Sequence, residues 1–274
     1  MEQKPIAMLA IDMDGTLLTD DKRITAGNAE AVRKAMDAGI RVCISTGRAW
    51  PGAREFATTL GIDTPVITSN GSMIVNPTDE EILFDLRLSD EDAKEIYARG
   101  LAIPAVTQIV WSRNKCYASR MNEYAEDYGN RFGRMKPEQV PSIEALCERG
   151  VSKILWYFSD NGADAYAGEM RSRFGDRISI VTSTPLFLEF FHAGVSKAEA
   201  VGKVAGRYGI AMENVLAIGD AGNDIEMLRM AGIGVAMGNA SEEAKAAADY
   251  VTGDNNRDGV AEAIYRFCDE LKGL

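Results

Sequence analysis

The chain has 274 residues, 46% hydrophobic and 26% charged, ample for a buried core in one large domain or two of ordinary size. A formal net charge of −11 with no Lys/Arg cluster argues against a nucleic-acid binder, and no apolar run reaches the ~18–20 residues of a membrane span. Cys43, Cys116, Cys147 and Cys268 lack CxxC spacing and read as reduced structural thiols; with no signal-peptide pattern at the start, the expectation is a soluble cytoplasmic protein.

Ile6 to Ile11 is an apolar run ending in acids, as a buried parallel strand does at its C-terminal edge. Thr25 is a candidate N-cap for a helix to Ala38 with Ala29, Val32 and Met36 on one face and Gly39 as its stop. Ile40 to Ile44 is a second strand, a helix with Pro51 in its first turn runs to about Leu60, and Pro65 to Thr68 is a third strand. This βαβαβ order predicts a doubly wound parallel sheet.

The middle of the chain reads differently. Thr107 to Trp111 and Cys116 to Ser119 flank a hairpin-like turn, Ser112-Arg113-Asn114-Lys115. A β-prone run, Lys153 to Phe158, precedes a helix over 163–174 and short strands at Ile178 to Thr182 and Leu186 to Phe190. After this, Ser196 caps a helix to about Tyr208, and Val215 to Ile218 and Ile233 to Ala236 are strands around a helix from Asp224 to Met230. Helices from Ser241 to Ala248 and Gly259 to Leu271 close the chain. The expected fold is α/β: a Rossmann-like doubly wound parallel core of residues 1–83 plus 190–274, with an α+β domain of residues 84–189 inserted into it.

Chemistry concentrates at the expected strand ends. Asp12 and Asp14 lie two apart on an extended segment and share a side, and Gly15 lets the chain turn behind them. Two like charges at ~4 Å repel by roughly 4 kcal/mol at an effective dielectric of ~20, so a cation or a shifted pKa must offset them. Thr46-Gly47-Arg48 ends the second strand with a hydroxyl and a glycine suited to a phosphate oxygen, and Lys197 opens a helix after Ser196. Asp220 and Asp224 follow another apolar strand, and their all-oxygen character suits a hard cation. Taken singly, each has a plainer reading: solvated acids capping a strand, a structural turn, a surface lysine, helix-capping Asn223 and Asp224. Four polar strand ends on one edge of a parallel sheet are far more specific, because ligands of such sheets bind there.

The set Asp12-x-Asp14-Gly15-Thr16, Thr46-Gly47-Arg48, Lys197 and Gly219-Asp220-x-x-Asn223-Asp224 resembles the haloacid dehalogenase superfamily, in particular its Cof-type phosphatases (subfamily IIB). Ser69-Asn70-Gly71, Val235 to Ala240 and Asn255-x-x-Asp258-Gly259-Val260 extend the resemblance over the whole core; Phe191-His192-Ala193 and Ala198 depart from it. The resemblance implies a Mg²⁺-dependent phosphatase of a small phosphorylated metabolite, a sugar phosphate being the commonest case. It casts Asp12 as nucleophile and Asp14 as acid and base. The Asp12 carboxylate, the Asp14 carbonyl and Asp220 are the implied metal ligands. Met13 and Gly47 N–H groups, Thr46, Lys197 and Asn223 are the implied phosphate grip, with Asp224 and Arg48 supporting. The inserted domain is the implied cap that selects substrate.

A sugar phosphomutase needs the same aspartates, and a phospho-accepting signalling module also uses an Asp, a Thr and a Lys; both are rival readings. Trp111, Trp156, Tyr157 and Phe158 read as core of the inserted domain and the single His192 as structural. Gly232-x-Gly234 with Gly238 is too long for a dinucleotide fingerprint, and there is no GxSxG and no complete P-loop. A monomer or small homo-oligomer is expected, with no nucleic-acid or membrane partner.

Overall fold

The computed structural model describes residues 5–133 and 135–268; the chain start at 1–4 and the end of the expected last helix, 269–271, lie outside the described residues. In chain order come β1 (Met8–Ile11), α1 (Ala26–Asp37), β2 (Arg41–Ile44), α2 (Trp50–Leu60), β3 (Val66–Thr68), β4 (Met73–Val75) and β5 (Ile82–Asp85). Next are α3 (Asp90–Leu101), β6 (Val106–Ser112), β7 (Lys115–Ala118), α4 (Glu123–Tyr128), β8 (Glu138–Gln139), α5 (Ile143–Arg149), β9 (Lys153–Phe158), α6 (Ala163–Phe174), β10 (Ile178–Thr184) and β11 (Phe187–His192). The last are α7 (Lys197–Arg207), β12 (Val215–Gly219), α8 (Ile225–Met230), β13 (Ile233–Ala236), α9 (Glu242–Ala247), β14 (Tyr250–Val251) and α10 (Gly259–Phe267). Two compact units result. One runs to Gly47, continues over Ala53–Leu83 and resumes at Ser196; the other joins Arg48–Gly52 to Phe84–Val195.

The first unit is built on a parallel sheet in the order β14-β13-β12-β1-β2. β1 and β12 are buried along their whole length, which is why both are written as unbroken apolar runs. The register sets Ile11 beside both Ile44 and Ile218, so the polar residues that follow each strand emerge in one row. α1 starts at Thr25, whose hydroxyl accepts the Asn28 N–H. Its buried face is Asn28, Ala31, Val32 and Ala35, rotated from the expected Ala29, Val32 and Met36. The reason is Asn28, whose Oδ1 accepts the Ala261 N–H of α10 at 2.9 Å and turns this polar side chain inward.

The expected third strand, β3, meets the parallel ladder only at its end. It touches the end of β2 by a single bridge, Ser45 to Ile67, and pairs antiparallel with β4 in a small sheet β3-β4-β5. The chain reverses within Ser69–Gly71 directly after three strand residues, so the neighbour in sequence pairs with β3 along its whole length.

The second unit is a mixed six-stranded sheet, β10-β11-β9-β6-β7-β8, antiparallel except for the β7–β8 pair. Arg113 (φ 46°) and Asn114 (φ 63°) form the two-residue turn of the β6–β7 hairpin, matching the twist of the strands. Alternation along β9 sends Trp156 and Phe158 to one face, with Ile96, Leu146 and Met170, and Tyr157 to the other, with Trp111, Tyr128 and Phe187. All four aromatic residues expected in the core are buried. No described helix is long and apolar enough to cross a membrane, and the four cysteines are buried and free.

Candidate active site

Asp12 directly follows β1, and its N–H donates to Ile218 O at 3.0 Å, extending the sheet by one rung. The chain then tightens: the Leu17 N–H donates to Asp12 O and the Leu18 N–H to Met13 O. Gly15 takes φ +82°, and a Cβ there would run into the Asp220 carboxylate, so only glycine lets this turn lie against the loop after β12. Thr16 Oγ1 donates to Asp220 Oδ1 at 2.8 Å and fastens the two loops. The Asp14 carboxylate forms an ion pair with Lys22 at 2.8 Å, with Asp14 39% exposed.

Lys197 is the hub. Its Nζ lies 2.6 Å from Asp12 Oδ1 and 2.6 Å from Asp224 Oδ1, with all three side chains buried. Asp224 uses its second oxygen to accept the backbone N–H groups of Asp220 (3.1 Å) and Ala221 (3.0 Å). Asp224 therefore orders the loop and the lysine together. Burial pushes the Asp12 carboxyl well above its ordinary value, and the charges of Asp224 and Asp220 add to this against the pull of Lys197. Burial raises Asp220 as well. Burial alone would push the Lys197 ammonium down, but Asp12 and Asp224 outweigh it and hold the ammonium above its usual range.

Oxygens of Asp12, Asp220 and Asp224 lie within 4.8 Å of one another. Three carboxylates face one ammonium, so positive charge is in deficit, and every donor is a hard oxygen. This set fits a small divalent cation of the Mg²⁺ type, and Asp12 and Asp220 are the two whose oxygens are less occupied by protein partners.

Thr46 and Gly47 follow β2, and the Thr46 N–H donates to Ile67 O at 2.9 Å. Over them lies the loop Ser69-Asn70-Gly71, three successive residues at positive φ (50°, 61°, 100°). Non-glycine residues in this region cost about 1–3 kcal/mol each, so the surrounding contacts must hold the loop. The Asn70 N–H donates to Thr46 O at 3.0 Å. A Cβ on Gly47 would sit 2.9 Å from Asn70 Oδ1, and one on Gly71 would strike the Ser196 carbonyl. Asn223 Nδ2 donates to Asn70 Oδ1 at 2.9 Å. Asp12, Asp220, Asp224 and Lys197 are thus in direct contact or adjacent, while Thr46, Gly47 and Asn223 are joined through Asn70. Arg48 belongs to the second unit, where its Nη1 donates to Gly52 O at 3.3 Å.

Reading the sequence missed several members of this network. Thr16 has its contact with Asp220, Asn239 Nδ2 donates to Gly15 O at 2.8 Å, and Asn255 Nδ2 donates to Leu18 O at 2.9 Å. All three lie inside the motifs that carried the resemblance, so the motifs marked them without revealing their partners.

Residues 9–264 match the family model described as haloacid dehalogenase-like hydrolase. The chain is 36% identical over 265 residues to a 5-amino-6-(5-phospho-D-ribitylamino)uracil phosphatase of Bacillus subtilis, covering 96% of each chain. The fold is similar to a haloacid dehalogenase-like hydrolase from Bacteroides thetaiotaomicron, with TM-score 0.86, 29% identity and coverage of 95% of this chain and 99% of that one. It is also similar to a sugar phosphatase of subclass IIB, with TM-score 0.81, 28% identity and coverage of 95% and 98%.

Proposed function

The chain belongs to the haloacid dehalogenase-like hydrolases, and as a phosphatase of that family we propose that it hydrolyses a small sugar or sugar-alcohol phosphate through an aspartyl phosphate on Asp12. The observation that carries this reading is the double contact of Lys197 with Asp12 and Asp224, beside Asp220. A buried carboxylate whose proton affinity is raised by burial becomes a usable nucleophile only when neighbouring positive charge favours its ionised form; Lys197 pulls in that direction, and a bound divalent cation would add to it.

In this reading an Asp12 oxygen bonds to phosphorus as the ester oxygen leaves and takes a proton from Asp14. Asp14 then accepts a proton from the water that attacks the aspartyl phosphate, inorganic phosphate departs, and Asp12 is restored. The Met13 and Gly47 N–H groups, Thr46, Lys197 and Asn223 grip the phosphoryl oxygens. Asp224 supports by fixing Lys197, and Arg48 by flanking Gly47. Asp12, the Asp14 carbonyl and Asp220 would hold Mg²⁺, which when bound supplies charge stabilisation for the phosphoryl group. The sugar-type substrate is supported by the phosphoribityl chain in the name of the 36% identical relative and by the sugar phosphatase of similar fold.

The test is phosphate release from a panel of phosphomonoesters with Mg²⁺, wild type beside Asp12→Asn. Turnover is expected for wild type, strongest on sugar and sugar-alcohol phosphates, with at least about a thousand-fold loss in the variant. A variant as active as wild type removes Asp12 as nucleophile; isomerised hexose phosphate in place of free phosphate would favour a mutase.

A further inference from the structure

Asn223, one arm of the proposed phosphate grip, is exposed, and its side-chain amide can present either N–H or C=O to an anion. Only the N–H end is useful there. What selects it is Asn70: its Oδ1 accepts one Asn223 Nδ2 hydrogen at 2.9 Å, which leaves the second hydrogen of the same nitrogen for another acceptor. Asn70 is in turn held by its own backbone N–H on Thr46 O, and its Oδ1 lies where a Cβ on Gly47 would come within 2.9 Å of it. Gly71 presses on the Ser196 carbonyl, immediately before Lys197. One short loop therefore touches the segments carrying Thr46, Gly47, Lys197 and Asn223, and it does so with three left-handed residues in a row. Strained backbone of this kind persists where a site needs the geometry.

We propose that Asn70 is a positioning residue, which locks the Asn223 amide with its N–H toward the substrate phosphate and sets Thr46–Gly47 beside it. The inference rests on the phosphatase reading above but concerns a residue outside its steps. It separates function from stability, because glycine is better suited than asparagine to φ 61°.

The experiment compares wild type, Asn70→Gly, Asn223→Ala and the double variant. Asn70→Gly is expected to melt at the same temperature as wild type or higher. Its kcat/KM on p-nitrophenyl phosphate should fall about ten-fold, and the rise in Tm induced by inorganic phosphate with Mg²⁺ should shrink. In the Asn223→Ala background the same change should cost less than about two-fold, since the amide it orients is gone. Equal losses in both backgrounds, wild-type turnover in Asn70→Gly, or a Tm that falls in step with activity would overturn the proposal. A wild type that releases no phosphate from any ester would instead overturn the phosphatase reading, and the phosphate-induced Tm rise would still decide the role of Asn70.

Discussion

At the sheet edge of the core unit, three carboxylates gather around one ammonium; in the inserted unit a buried lysine has a carboxylate of its own, the Lys153–Glu189 pair, 3.4 Å apart, with Nζ 5.5 Å from the Phe191 ring centre. Asp92, also buried there, is met by Arg177 at 3.1 Å, and nearer the surface Asp127 pairs with Arg131 and the Tyr157 hydroxyl. The core leaves an excess of negative charge that its own residues do not neutralise, and such an excess is tolerated where a cation or anion-handling chemistry completes it. The inserted unit closes its accounts locally and relies on aromatic packing: Trp156 lies 4.8 Å from Phe190 and donates its indole N–H to Gln108 Oε1. One unit is organised around charge, the other around volume.

Removing the hub of the core is the most severe way to break this contrast. Lys197→Met leaves Asp12 and Asp224 buried without their shared cation, so the expected cost is about 3–5 kcal/mol in urea unfolding and at least about a thousand-fold in phosphate release. In the inserted unit the matching blow is to volume. Trp156→Ala should cost about 3–5 kcal/mol, with hydrogen exchange rising in β6, β9 and β11 while β1 and β12 keep their protection. The Lys153–Glu189 pair sharpens the comparison, because here apolar replacement is possible. Lys153→Met alone should destabilise by about 3 kcal/mol, and adding Glu189→Leu should recover most of it, as read by thermal unfolding.

The smallest expected effect is a pH response of opposite sign in the two units. Burial raises Asp12 and Asp220, so between the ordinary Asp value of 3.8 and their folded values the native state holds more protons than the unfolded chain. Core stability without metal should therefore fall as pH rises through that window, and added Mg²⁺ should flatten the fall. In the inserted unit, hydrogen bonds from Arg131 hold Asp127 below its ordinary value, and those from Arg173 and Arg99 do the same for Glu95. Their stabilisation is complete above the unfolded values, 3.8 and 4.5, and is lost as pH falls through the lower folded ones. Hydrogen exchange of the chelated protein across pH 3–7 resolves the two responses; equal slopes in both units would refute the contrast.

Local chemistry made much of the fold legible. Thr25, Ser196 and Ser241 each cap a helix through their own hydroxyl, and Arg113-Asn114 turns a hairpin, because these effects act within three or four residues. The third strand formed as expected and meets β2 in parallel, but its antiparallel pairing with β4 was not legible, for the complementary reason. β3 has only three residues, and its added pairing with β4 depends on the reversal at Ser69–Gly71, which composition does not announce. The rotated face of α1 is similar: Asn28 is buried because Ala261, 233 residues later, offers it a donor.

For the site itself, residue types and their places at strand ends were determined by the sequence alone: two acids after β1, a threonine and glycine after β2, two acids after β12, and no Cys or His among them. Which oxygen meets which nitrogen was decided only by the tertiary structure. Lys197 reaches Asp12 across 185 residues, Thr16 reaches Asp220 across 204, and Asn223 reaches Asn70 across 153. Periodicity tells a side chain which face of its own strand or helix to take. Contacts at such separations exist only once the parallel register has brought Ile11, Ile44 and Ile218 side by side and carried the residues beyond them to one edge.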